Sequence, residues 1–203
     1  IFSTPFGRYI EDEEGAHVCV SSWRRVDDTA LPPRGKLVGS YVNSALIKSE
    51  AVLNGFAEAI VLNQDGHVAE GSAENVFLVR GDVLITPPVY ANVLEGITRR
   101  TVIDLVQREM GLQVVEREID RSELYVADEA FFCGTGVQIV AIASVDHRPI
   151  GSGRIGPVTK QLREHYFRVV RGQEPKYAHW LTPVYAERPT AWQAADAAQA
   201  VAV

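Results

Sequence analysis

The chain has 203 residues, 46% hydrophobic and 23% charged, the profile of one ordinary globular domain able to bury a core rather than of a disordered or fibrous chain. Lys and Arg number 20 against 26 Asp and Glu, a net charge of −6, which argues against nucleic acid or an anionic membrane surface as a partner. No apolar run approaches the roughly 20 residues of a membrane-crossing helix, and the opening Ile1-Phe2-Ser3-Thr4 has no basic segment leading into an apolar core. Cys19 and Cys133 lie far apart without metal-ligand spacing, so they read as two small buried hydrophobes in a reducing, cytoplasmic compartment, with no disulfide and no metal site.

In chain order, HVCVSSWR at 17–24 mixes β-branched and aromatic residues and predicts a strand. Residues 25–35 hold Asp27-Asp28-Thr29 and Pro32-Pro33 and predict an exposed loop that delivers the chain to Lys36. Val38, Tyr41, Val42, Ala45, Leu46, Val52 and Leu53 keep mostly helical spacing, so an amphipathic helix is expected over 37–54 with Gly55 as its left-handed stop. AEAIVLN and HVAEG, joined by Gln64-Asp65-Gly66, predict a hairpin, and Asn75–Val79 with Val83–Thr86 a second one around Arg80-Gly81-Asp82. LEGITRRTVIDLVQREMG is a helix with Ile97, Val102, Leu105 and Val106 on its apolar stripe and Gly111 as its stop. LQVVERE follows as a strand, Ser122 is expected to cap a short turn, and EAFFCGTGVQIVAIASVD gives two strands pivoting about Gly134-Thr135-Gly136. A last helix is expected from Pro157 to Arg171, and the Ala-rich end from Trp192 to Val203 carries no chemistry.

There is no Walker loop, no HExxH, no nucleophile elbow and no ligand spacing among the five histidines. Of four lysines, Lys48, Lys160 and Lys176 read as solvated charge, while Lys36 stands at a loop-to-helix junction beside the apolar Leu37-Val38, where burial favours a nucleophilic amine. Gly96-Ile97-Thr98 at a helix start and Gly134-Thr135-Gly136 at a strand pivot each offer backbone N–H groups and a hydroxyl to an anion, although each alone also reads as an ordinary turn or cap. Glu70 and Glu74, in AEGSAEN, flank a glycine at a strand end, where a carboxylate is usually a solvated loop charge. A junction Lys, a strand-end Glu and two Gly-Thr nests together make the inventory for holding pyridoxal phosphate by its aldehyde, ring nitrogen and phosphate.

The segments GKLVGSYVNSALIKSEAVLNGFAEAIVL, GHVAEGSAENVFLV, LEGITRRTV, CGTGVQIVAIASVD and GPVTKQLREHYFRVVRG resemble, in order, the motifs of class IV, fold-type IV pyridoxal-phosphate aminotransferases, most closely the branched-chain aminotransferases. The resemblance runs from about Val20 to Tyr185. It implies an α+β fold with a mixed sheet curled into a pseudobarrel and helices outside. It also implies pyridoxal 5′-phosphate as cofactor, with Lys36 as the lysine that forms the internal aldimine and Tyr41 as the phenol on the cofactor's 3-oxygen. Glu70 matches the carboxylate facing the pyridine nitrogen, Ile97 and Thr98 match phosphate-binding positions, Thr135 matches a phosphate ligand, and Thr135-Gly136 match the backbone that also meets the substrate carboxylate.

The activity so implied is transamination of L-Leu, L-Ile and L-Val with 2-oxoglutarate, in a homodimer or larger homo-oligomer with amino acid and 2-oxo acid substrates. Glu95 stands where Pro is common in the family, Ser40 where Asn is, and Gly136 where Ala is. Aminodeoxychorismate lyase, D-amino-acid or R-selective amine aminotransferases, and a catalytically silent domain of the same fold remain the alternative readings. On this resemblance residues 1–16 are the remnant of an interdomain linker after a small N-terminal domain that this chain lacks, 17–185 the larger cofactor-binding domain, and 186–203 a tail.

Overall fold

The computed structural model describes residues 5, 7, 9, 10 and 14–183; the Ala-rich end falls outside them. The chain divides into two compact units, Ile1–Tyr166 and Phe167–Val203. Among the described residues of the first, nine strands form one sheet: β1 (Ala16–Arg24), β2 (Glu58–Leu62), β3 (Val68–Gly71), β4 (Asn75–Arg80), β5 (Val83–Thr86), β6 (Gln113–Glu116), β7 (Glu129–Gly134), β8 (Gln138–Val145) and the short β9 (Arg148–Pro149). Their order is β3-β2-β1-β8-β7-β4-β5-β6, with β9 on β8. β1 pairs parallel with β2 and β8, β5 pairs parallel with β6, and the remaining pairs are antiparallel.

The two ends of that order meet. Val68 N donates to Ile119 O across 2.9 Å and His67 bridges Asp120, so edge strand β3 is stitched to the chain that has just left β6. This is the α+β half-barrel of the expectation, with helices outside.

Side-chain alternation along the strands separates two of the apolar clusters. Val18, Ile60, Leu62, Val76, Leu78, Phe132 and Ile142 gather on one face. Cys19, Ala59 and Val61 face the other way and pack with Ile47 and Ala51 of α1 (Tyr41–Leu53). Phe77 and Phe131 are opposite each other in the β4–β7 register and stack with centroids 5.1 Å apart, the cross-strand aromatic contact that pins a register.

α1 departs from the expected pattern. Its buried side is Ser44, Ile47 and Ala51, whereas Val42, Leu46, Val52 and Leu53, read from sequence as the inner stripe, are exposed. The helix also begins at Tyr41, after a 3-10 turn over Val38–Ser40. Ser40, standing where Asn is common, closes that turn by donating its hydroxyl to Leu37 O across 2.7 Å.

The predicted hairpins form, with Gly66 (φ 90°) and Gly81 (φ 55°) in their turns, and Gly55 (φ 80°) and Gly111 (φ 67°) end their helices as read. α2 spans Ile97–Leu105 and finishes in a π turn over Val106–Met110; Val102, Leu105 and Val106 are buried, but Ile97 is 73% exposed. Ser122 is not the cap of the turn before β7. Asp120 is, in a reciprocal capping box with Glu123.

α3 (Pro157–Val170) starts at the predicted proline. Glu129 caps it, accepting from Val158 N, Thr159 N and the Thr159 hydroxyl at 2.9, 2.8 and 2.7 Å. Within the second unit Tyr177 is buried and packs at a tilt against Trp180, with ring centroids 4.6 Å apart.

Candidate active site

A cleft of about 300 Å³ lies in the first unit, where the loop before α1, the β3–β4 turn, the start of α2 and the β7–β8 turn converge. Lys36, Tyr41, Glu70, Ile97, Thr98, Thr135 and Gly136, each singled out from sequence, all line it. They come from four separate stretches of chain, so their meeting is a product of the fold and not of local spacing.

Lys36 stands two residues before the 3-10 turn, and its Nζ donates to the Tyr41 phenol across 3.2 Å. Its apolar neighbours do not bury it. Leu37 is 41% and Val38 88% exposed, because the 3-10 turn rotates both outward, so the amine faces an open cleft rather than an apolar pocket. Lys48, read as solvated, is instead tied to the fully buried Glu58 at 2.8 Å and to Ala57 O at 2.6 Å.

Glu70 is the most constrained group in the cleft. β3 presents it opposite Val61, and it is 3% exposed. Its Oε2 accepts from Asn75 Nδ2 at 2.9 Å and from Leu94 N at 3.1 Å, while Arg25 Nε stands 2.8 Å from Oε1. Burial pushes the carboxyl up to about 7, against the pull of Arg25, the Leu94 N–H and Lys36. Glu74, four residues on, is 4% exposed and is also pushed upward, by burial and by the neighbouring charge of Glu58. Neither is the solvated loop carboxylate that its place in sequence suggested.

Opposite the acid, α2 opens at Gly96, whose extended backbone (φ −65°, ψ 137°) makes it the N-cap. The first-turn N–H groups and the buried Thr98 side chain face the cleft there, the arrangement that attracts an anion. Asn75 Nδ2 donates to Leu94 O at 2.8 Å as well as to Glu70, so the acid and this anion cradle share a strut. Gly96 packs so tightly on it that an added Cβ would lie 2.2 Å from Asn75 Oδ1. Glu95, standing where proline is common, turns outward to Arg34 at 2.8 Å. Thr135 and Gly136, both exposed, form the β7–β8 turn on the remaining side.

Sequence reasoning missed Arg25 and Asn75. Asn75 lay inside a quoted motif, but only the fold shows that its amide spans two segments. Arg25 follows an exposed Arg24, and strand alternation alone could have marked one of that pair as inward.

The profile of the amino-transferase class IV family matches residues 1–145. A probable branched-chain-amino-acid aminotransferase of Aquifex aeolicus is 51% identical over 185 residues, covering 91% of this chain and 60% of that protein. The structure of a branched-chain amino acid aminotransferase from Thermobaculum terrenum in its PLP form superposes with a TM-score of 0.85 at 48% identity, over 89% of this chain and 59% of that one. A T.th. branched-chain amino acid aminotransferase, complexed with N-(5′-phosphopyridoxyl)-L-glutamate, superposes with a TM-score of 0.82 at 44% identity, over 84% and 56%. The chain therefore spans about three fifths of the length of these relatives, and it belongs to the class IV aminotransferase family.

Proposed function

We propose that this chain is the cofactor-binding part of a pyridoxal-5′-phosphate-dependent transaminase that moves the amino group of L-Leu, L-Ile or L-Val to 2-oxoglutarate. The observation that carries the reading is the convergence, in one cleft, of a free amine, a buried carboxylate held at both oxygens and an amide-lined helix start. The donor set fits the cofactor end for end: Lys36 for the aldehyde, Tyr41 for the 3-oxygen, Glu70 for the pyridine nitrogen, and Ile97, Thr98 and Thr135 for the phosphate. The relatives' branched-chain substrates and the phosphopyridoxyl-glutamate complex of one of them support the choice of donor and acceptor.

When bound, pyridoxal 5′-phosphate supplies an aldehyde that condenses with amines and a ring that withdraws electrons from the substrate's α-carbon. Lys36 Nζ would hold the cofactor by its aldehyde end, and as a free amine it would carry the proton at the substrate α-carbon. The Tyr41 phenol, 3.2 Å from that amine, orients it by accepting its N–H. Glu70, ionised, holds a proton on the ring nitrogen, a charge interaction made strong by burial. The N–H groups opening α2, with the Thr98 and Thr135 hydroxyls, bind the phosphate and fix the ring between its two ends. The exposed apolar residues of α1 support assembly into a homo-oligomer.

The test is transfer of the amino group from L-leucine to 2-oxoglutarate by the cofactor-loaded protein, read as glutamate formed. Loss of transfer in Lys36→Ala and no transfer from D-leucine support the reading. Equal turnover of D-leucine, or pyruvate release from aminodeoxychorismate without an amino acceptor, would overturn it.

A further inference from the structure

Arg25 sits just beyond the end of β1, after a register shift between Val20 and Arg24. Its main chain is pinned on both sides: its N donates to Leu62 O at 2.9 Å, and its carbonyl accepts from Gln64 Nε2 at 3.0 Å. Arg24 is exposed, whereas the Arg25 side chain is only 9% exposed. Among the described residues its one ion pair is with Glu70, and that side chain is 4% exposed. The 2.8 Å contact acts mainly through charge, and among the described residues Nη1 has no hydrogen-bond partner.

A guanidinium buried with idle donors is an expensive way to fill space. Its burial is explained by what it faces. We propose that Arg25 is a positioning residue, whose buried guanidinium favours the ionised form of Glu70 and holds its carboxylate turned into the cleft. Burial acts most strongly on Glu70, and among the groups facing it Arg25 is the largest influence toward ionisation. Lys36, on the loop before α1, is exposed and acts more weakly through charge. Glu74, in the β3–β4 turn, opposes ionisation when charged. Cys133 on β7 is a neutral thiol, held well above its ordinary range by burial. Asn75 and the Leu94 N–H are neutral donors. Without Arg25, burial is opposed among the described residues by the weaker charge of Lys36 and two neutral donors, and the carboxyl takes up a proton. The functional consequence rests on the proposed role of Glu70 against the ring nitrogen; the effect on the carboxyl itself does not.

The experiment is a carbon NMR titration of the cofactor-free chain labelled at the Glu side-chain carboxyls, with E70Q identifying the Glu70 resonance. The wild-type midpoint is expected near 7, R25Q is expected to raise it by about 1–3 pH units, and R25K, which restores the charge, to recover most of that shift. An unchanged midpoint in R25Q, or R25K titrating like R25Q, would overturn the proposal. Should R25Q fail to fold, the stability cost of R25Q is measured in an E70Q background. Recovery of folding when R25Q is combined with E70Q supports the pairing, and an undiminished failure to fold overturns it. Because no cofactor is present, absence of amino transfer would count against the proposed reaction without touching this result.

Discussion

Asn75 donates one amide hydrogen to the Glu70 carboxylate across 2.9 Å and the other to the Leu94 carbonyl across 2.8 Å. The strand that carries the acid is thereby fastened to the loop that opens α2, and the two ends of the cleft cannot move independently.

Asn75→Ala leaves a buried carbonyl and a buried carboxylate each short of one donor. We expect a loss of about 1–3 kcal/mol in stability, together with weaker binding of pyridoxal phosphate and of inorganic phosphate. Urea unfolding and phosphate titration check this; unchanged affinity for both ligands would show that the strut is not what holds the cradle.

Gly96→Ala acts on the same strut from the other side. Its φ of −65° suits alanine, so any effect is steric. The added Cβ lies 2.2 Å from Asn75 Oδ1, and the expected cost is about 1–3 kcal/mol. In an Asn75→Ala background the space is free, so the double variant should cost less than the sum of the two singles. Strict additivity in unfolding measurements would refute the coupling.

Glu70 links the site to pH. Its carboxyl titrates near 7 when folded, against an ordinary 4.5, so between those values the native state binds more protons than the unfolded chain. Its contribution is therefore greatest below pH 4.5 and is lost as pH rises to about 7, a decline of about 3 kcal/mol. Glu70→Gln should remove that share of the decline in the cofactor-free chain, measured by unfolding at about pH 5 and about pH 8. In the loaded protein it should bind cofactor but lower kcat by about 10² or more, equivalent to ~3 kcal/mol at the transition state. Retained turnover would move the role to Glu74 or to no carboxylate.

Lys48 is structural. Lys48→Met strips the fully buried Glu58 of its cation and is expected to cost about 3–5 kcal/mol, most of it recovered in the Lys48→Met/Glu58→Met double variant. A melt within 1 °C of wild type for Lys48→Met, roughly the scatter of such scans, would contradict this.

How far the molecule was legible in its sequence follows from what kind of force fixed each part. Glycine stops such as Gly55 and Gly111, and the hairpin at Gly66, rest on local backbone sterics and stand where they were read. The inner face of α1 does not, because helical spacing reports where apolar residues lie and not what covers them; Ser44 and Ala51 went in, and Val42 and Leu53 stayed out. Residues carrying recognisable chemistry, Lys36 and Glu70 among them, could be picked out singly. The charge state of Glu70 could not, since it depends on Arg25 brought from 45 positions earlier in the chain and on a Leu94 N–H from 24 positions later.

The most direct test of the central claim is chemical. The chain is loaded with pyridoxal 5′-phosphate, reduced with borohydride, digested and mapped by mass spectrometry. Of its four lysines, Lys36 alone lines the cleft, beside the Tyr41 phenol and across from Glu70. The account predicts a single phosphopyridoxyl label on Lys36; a label on Lys48, Lys160 or Lys176 with Lys36 unmodified would contradict it.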